Sequence, residues 1–514
     1  MGQGEQCQVF TACGGIDVQP DITGLDIVVT ILDLATVQMD IVTHSGRDFP
    51  CHKVKDDSGF NCLFCYCPLY SLGDQCGGNF TYTDNGIKDC THCLRPHKRE
   101  NYDGMMRDLG KVMELAKNLA KKHTQLMLDA ERFIWKNPET GYKEWKTHEY
   151  LETEFAKLGY ELTLAGDIPG FTTLIDTGRE GPTIAVFGEL DSVICASHPE
   201  ADSTTGAVHT CGHNCQAAAL LGLAAMLKEP GALDGMCGKI LLVAVPAEEL
   251  LELEYREELR KKGVIKYFGG KPEFMWRGLL DGVDMAFMIH TSTAASGVGV
   301  ISGGANGMIG KFVCYQGVSA HAAGASKGIN ALYAANQGMN AINALRETFI
   351  DEDHIRVHPI ITCGGTVVNA IPERVTMESY IRGASLECIL EANKKVNRAL
   401  AASAAALGAN VILSDRPGYS PRIHDDEMMR VTKEAMEETL ETVDYDPTGW
   451  NTGCSDLGDV SMVMPAVHPY IGGAVGRGHG ADYFITDVYT ATVDSARVQA
   501  AMLVKLLAQA LRRL

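Results

Sequence analysis

The sequence has no apolar run long enough to cross a bilayer, few aromatic residues and no excess of positive charge. A membrane span needs roughly 20 consecutive apolar residues. The most apolar early stretch, Gly24–Val42, is interrupted by Asp26, Asp33 and Asp40. No basic segment leads into an apolar one near Met1, and Gly2 lacks the downstream Ser or Thr of a myristoylation signal. A cytoplasmic chain without membrane contact is therefore expected. Aromatic residues make up 7% of the 514 positions, and 45 Lys and Arg face 65 Asp and Glu, a formal net charge of -20. A surface this acidic repels phosphate backbones, so no nucleic-acid partner is expected. There is no internal repeat and no low-complexity tract.

What is present is apolar material for a large core, 46% of the chain, and a length that predicts about three structural units. There are 17 cysteines, nine of them in the first 93 residues. Without an export signal, reduced thiols and metal ligands are a better reading than disulfides. Cys51, Cys62, Cys65, Cys67, Cys76, Cys90 and Cys93, with three nearby histidines, are candidate ligands of a structural zinc in a small N-terminal domain. The pairs Cys62/Cys65 and Cys90/Cys93 have zinc-site spacing. The ligand set stays open, as does a redox or iron–sulfur role.

Patterning divides the rest. Residues 1–45 have no clear fold and 46–102 form the cysteine-rich unit. Residues 103–309 and 417–514 form a catalytic α/β domain with a central mixed sheet flanked by helices. Its expected helices are Met105–Trp135, Thr147–Leu158 and Cys215–Leu227. Its expected strands are the apolar runs Thr183–Phe187, Lys239–Val245 and Asp284–Ile289. Residues 310–416 read strand, helix, two strands, helix, strand, which suits an inserted ferredoxin-like α+β domain.

The chemistry sits where strands end. Asp191 follows the first apolar run, Glu248 and Glu249 follow the second, and His290 ends the third. Cys211-Gly212-His213 precedes a helix, and His479 follows Tyr470-Ile471. In open α/β sheets, ligands bind beyond the carboxyl ends of strands. Five segments are thus expected to bring their side chains to one edge of one sheet. A thiolate, imidazoles and a carboxylate suit zinc, manganese or cobalt. Such an ion makes hydroxide available near neutral pH, and of two adjacent glutamates one can ligate while the other moves a proton.

Asn137-Pro138-Glu139, Gly188-Glu189-Leu190-Asp191, His209-Thr210-Cys211-Gly212-His213-Asn214, Pro246-Ala247-Glu248-Glu249, Ser319-Ala320-His321-Ala322-Ala323 and Gly478-His479-Gly480 occur in that order. Together they resemble the di-metal metallopeptidase superfamily of aminoacylases and carboxypeptidases. The branch resembled is the amidohydrolases that act on aminobenzoyl-glutamate, hippurate and auxin conjugates. The resemblance implies two divalent ions held by Cys211, His213, Glu249, His290 and His479. It implies Glu248 as general base and Asp191 orienting a ligand. It also implies that the inserted domain is a lid and dimerisation domain. There His321 would polarise the substrate carbonyl across a homodimer contact, while Asn369 and Arg382 would hold the substrate carboxylate. The substrate would be a small N-acyl amino acid or dipeptide-like molecule. The cysteine-rich segment in turn resembles a family of small cysteine-rich domains.

The sequence departs from the pattern at Ala325, where the family usually has proline, and in the charged stretch Leu250–Lys262. That stretch is either a pocket wall or an exposed helix. Arg382 also reads as a strand-face ion pair. Asp456 reads equally as a turn residue or as support for the metal site, and His209, His358 and His468 as structural or solvent-facing residues. Two other functions stay open: a metal-sensing or metal-binding protein on a hydrolase scaffold, and a true dipeptidase.

Overall fold

The computed structural model describes residues 118–509, residue 235 excepted, and residues 76–82, 88–89, 93–95, 98 and 101. The expectations for residues 1–45 and for Cys51, Cys62, Cys65, Cys67 and Cys90 lie outside the described residues.

The catalytic domain is built on a six-stranded sheet in the order Ala466–Val467, Met285–Phe287, Thr183–Glu189, Lys239–Val245, Phe171–Asp176, Thr163–Leu164. The first four strands run parallel, and Phe171–Asp176 runs antiparallel to both of its neighbours. Thr183–Glu189 and Lys239–Val245 are buried beyond their first residues, which explains why they read as unbroken apolar runs. Helix His213–Leu227 is buried along its whole length and packs against helices Thr124–Lys136 and Ser495–Gln509 and strand Thr183–Glu189. A helix enclosed on all sides is apolar all round, so it shows no amphipathic stripe. No helix among the described residues is long and apolar enough to cross a membrane.

Two expectations are corrected. The helix read over Met105–Trp135 is, in its described part, interrupted at His123 and resumes as Thr124–Lys136. The run Asp284–Ile289 does not carry His290 to the edge of the same sheet. The strand ends at Phe287, and His290–Thr291 pairs in parallel with Tyr470–Ile471 in a second, five-stranded sheet. That sheet is completed by Val298–Ala305, Arg422–Ile423 and Thr442–Asn451. Pairing with a distant segment won over extension of the local run.

The inserted domain runs strand Gly307–Gln316, helix Ala331–Leu345, strands Arg356–Val357 and Ile360–Cys363, strand Arg374–Gly383, helix Leu386–Ala406 and strand Asn410–Tyr419. Its sheet is antiparallel. Asn410–Tyr419 lies beside Gly307–Gln316, then Arg374–Gly383, then the two short strands. This is the ferredoxin-like order. The domain has its own core, centred on Val313, Tyr315, Val375, Ile389 and Val396. Its helices begin where Asn330 and Ser385 accept hydrogen bonds from the first-turn amides.

Candidate metal centre

Cys211 and His213 flank Gly212, whose φ of +95° opens the helix His213–Leu227. A side chain there would also collide with Tyr483 Oη at 2.8 Å and Thr291 Cβ at 2.9 Å, so glycine alone fits. Cys211 Sγ lies 3.3 Å from His290 Nε2. His213 Nδ1 lies 2.9 Å from Asp191 O and 3.1 Å from Asp191 Oδ1, and His290 Nδ1 is 2.6 Å from the Thr291 carbonyl. Facing oxygen acceptors, both Nδ1 atoms carry the proton. Both Nε2 atoms are left free to ligate.

Ligand atoms of Cys211, His213 and His290 lie within 4.8 Å of one another, as do those of Cys211, Glu249 and His479. Cys211 belongs to both groups. All five sequence-expected ligands therefore converge, at the junction of two sheets rather than the edge of one. A third group joins Glu189, His213 and Glu248, and Glu189 had no role assigned from sequence. Its signal was present in the Gly188-Glu189-Leu190-Asp191 motif.

The cluster attracts positive charge. Burial opposes ionisation of Cys211, but His213 and His290 bring its thiol down to about 6. Glu249, after a similar opposition from burial, is drawn to about 2 by His479. His479 is in turn raised to about 11, chiefly by Glu249 at 2.9 Å. Glu248 goes the other way: burial, with the neighbouring Glu189 and Glu249 charges, pushes its carboxyl well above the usual range. Two adjacent glutamates thus have opposed proton affinities, one suited to ligation and one to carrying a proton. The donor set of thiolate, imidazole and carboxylate fits a pair of divalent transition ions.

The Pro246–Glu249 turn that presents these glutamates is held from every side. Ala247 adopts φ +59°, a strained value for a residue with a Cβ. Glu144 Oε1 accepts from the Ala247 amide at 2.8 Å, and Asp191 Oδ2 accepts from the Glu249 amide at 2.8 Å. Tyr419 Oη donates to the Glu248 carbonyl, and Arg256 donates to the carbonyls of Ala247 and Glu249. Arg256 stands on helix Leu253–Lys261 and is itself buried. The charged stretch is therefore not a plain exposed helix. Its other side, with Glu254, Tyr255 and Glu258, lines an open cleft of about 580 Å³ against Arg374 and Glu378 of the inserted domain. Arg256, Glu144 and Tyr419 escaped the sequence reading because nothing in their local spacing marks them. Beneath the site, Lys271 pairs with Glu189 and Asp456, so Asp456 has a partner beyond its own turn.

The candidate residues of the inserted domain divide. Arg382 is half-buried, 5.7 Å from the ring of Tyr380, whose hydroxyl donates to the Leu250 carbonyl beside Glu249. His321 and Asn369 are exposed on two adjacent loops of the inserted domain, where the Ala322 amide donates to the Asn369 carbonyl at 2.9 Å. Neither belongs to the cation-attracting groups of the same chain. In the N-terminal segment, Cys76 and Cys93 are both buried. A Cβ on Gly78 would lie 2.8 Å from Cys93 Sγ and 3.5 Å from Cys76 Sγ, so the two thiols share one small volume.

A cluster of metal-type donors with a spare carboxylate beside it defines a class, the metal-dependent hydrolases. Residues 185–509 match Peptidase family M20/M25/M40, and the chain belongs to that family, whose members hydrolyse amide bonds. Residues 41–120 match the family described as cysteine-rich small domain. An IAA-amino acid hydrolase of Arabidopsis thaliana is 23% identical over 361 residues, 67% of this chain and 77% of the relative. An Xaa-Arg dipeptidase of Mus musculus is 29% identical over 353 residues, 66% of this chain and 74% of the relative. Two solved structures share the fold. A putative aminohydrolase from methicillin resistant Staphylococcus aureus has TM-score 0.60 and 20% identity, over 77% of this chain and 99% of that one. A dinuclear metal-binding peptidase of Bacillus subtilis has TM-score 0.55 and 20% identity, over 76% and 99%.

Proposed function

We propose that the chain hydrolyses the amide bond of a small N-acyl amino acid, an aminobenzoyl-glutamate-like molecule or a dipeptide-like substrate. The observation that carries this is the membership of Cys211 in two converging donor groups with Glu248 adjacent. His213 and His290 would hold one divalent ion and Glu249 and His479 the other, with Cys211 shared. When bound, zinc, manganese or cobalt supplies Lewis acidity to water and to the amide carbonyl. The chain's own residues do the rest. Glu248 accepts the water's proton and returns it to the leaving nitrogen. Asp191 fixes the His213 ring through Nδ1 and the catalytic turn through the Glu249 amide. Asn369 and Arg382 hold the substrate carboxylate, and His321 polarises the carbonyl. The exposure of His321 favours its action across a lid-mediated homodimer, in the cytoplasm. The domain limits 46–102, 103–309, 310–416 and 417–514 belong to the same reading, with a structural zinc in the first.

A dipeptidase is the second reading, favoured by the 29% identity to an Xaa-Arg dipeptidase. The test is a panel of N-acyl amino acids and dipeptides offered to the metal-loaded full chain, with a chelator control. Hydrolysis that chelation abolishes is expected. A preference for substrates with a free amine selects the dipeptidase. Metal binding with no hydrolysis of any panel member rejects both in favour of a metal-binding protein.

A further inference from the structure

Arg422 is only 2% exposed, yet among the described residues no carboxylate forms an ion pair with it. Its Nη2 donates to Tyr470 Oη at 3.0 Å, its guanidinium stands 5.8 Å from the Tyr470 ring centroid, and among the described residues its Nε has no acceptor. A buried charge without a counter-charge is costly. Arg256, equally enclosed, also has an Nε without an acceptor among the described residues, but three carbonyls accept from its two Nη atoms. Arg422 has none of these.

Tyr470 extends the anomaly. Its Oη also takes a hydrogen bond from Asn451 Nδ2 at 3.5 Å. With two donors on the oxygen, the phenol's own proton is left to give away. Among the described residues nothing accepts it. The Tyr470 ring stands 5.6 Å from the His290 ring, and His290 Nε2 is 3.3 Å from Cys211 Sγ. A guanidinium and an oriented hydroxyl, both short of acceptors among the described residues, are thus joined to a ring that stands beside the candidate ligand His290. That donor set matches a carboxylate.

We propose that Arg422, Tyr470 and Asn451 form a carboxylate-recognition subsite beside the metal centre. The preferred substrates then carry a second anionic group besides the one assigned to Asn369 and Arg382, as N-acyl-glutamates and N-acyl-aspartates do. This rests on the amidohydrolase reading above.

The metal-loaded full chain is assayed with an N-acyl-glutamate and the N-acyl-glutamine of the same acyl group, which differ in charge and hardly in size. The wild type prefers the glutamate by at least ~10-fold in kcat/KM, carried by KM, because the glutamine leaves the guanidinium unpaired. Tyr470→Phe, which keeps the ring against His290, and Arg422→Met each shrink that ratio severalfold. A wild-type ratio near one overturns the proposal, as do variants that lower both substrates alike. The amidohydrolase reading is separated from the subsite by calorimetric titration with glutarate. If the wild type hydrolyses no panel member, that reading fails by itself, and glutarate decides the subsite. Tighter binding to the wild type than to Tyr470→Phe supports it; equal binding overturns it.

Discussion

The ammonium of Lys271 lies 2.5 Å from Glu189 Oε1, and both side chains are fully buried beneath the metal centre. Asp456 closes the triad from the other side. Burial alone would hold Glu189 protonated, but Lys271, then His213 and His290, bring its carboxyl down to about 2. Asp456 settles at about 6, raised by burial against the pull of Lys271. The lysine thus keeps a carboxylate ionised 3.2 Å from His213 Nε2.

Removing that lysine should be severe. Lys271→Met leaves two buried carboxyls uncompensated and is expected to lower unfolding free energy by about 3–5 kcal/mol. Urea titration of the metal-loaded protein measures it. A loss within ~1 kcal/mol, the range of an exposed pair, contradicts the burial argument.

Glu248→Gln keeps the shape of the site and removes the proton acceptor. Metal content is expected to stay at the wild-type level while kcat drops by roughly 10²–10⁴-fold, the range for a general base. Metal analysis and steady-state kinetics on one preparation check both halves. Full activity in the variant assigns the proton transfer to another group.

Cys211 serves two donor groups and His479 serves one. Cys211→Ala is therefore expected to retain less metal than His479→Ala under the same dialysis. The reverse order, read by elemental analysis, means that the thiolate is not shared.

The cage around Ala247 predicts an effect at a distance from substrate. Arg256→Met frees the Ala247 and Glu249 carbonyls and lets the strained turn relax. kcat should fall more than KM rises, with a stability loss of about 1–3 kcal/mol for buried acceptors left unpaired. Unchanged kcat in a destabilised variant makes Arg256 a structural residue only.

His424 gives a pH prediction. Its Nδ1 donates to the Ser302 carbonyl and its Nε2 accepts from the His468 amide at 3.1 Å, so only the neutral ring fits. Burial, then the charge of Arg422, depresses it to about 3. The unfolded value is near 6.5. Between these limits the unfolded chain binds more protons, so stability is full above about pH 6.5 and declines as pH falls toward 3. This group contributes at most ~1.4 kcal/mol per pH unit. His424→Asn should flatten the slope of unfolding free energy against pH between about 6 and 4. An unaltered slope would falsify the assignment.

The part of the fold that local pattern marks was legible. Thr183–Glu189 and Lys239–Val245 announced themselves as apolar runs because both faces of a central parallel strand are covered. Cys211-Gly212-His213 was legible because ligand chemistry and a helix start coincide there. Lys271 was not: its partners Glu189 and Asp456 lie 82 and 185 positions away, and a single lysine has no periodicity. Arg422 was silent for the same reason.

By itself the sequence determined the donor chemistry, the strand ends before Asp191 and the Glu248–Glu249 pair, and the order of the inserted domain, since residue type and burial period are local properties. Tertiary structure alone decided that two sheets meet at Cys211. It also decided that Lys271 neutralises Glu189 and that Arg422 lies buried with no acid paired to it among the described residues. The stability of a buried charge is set by whatever the rest of the chain places within a few ångströms of it, and that is known only once the fold has closed.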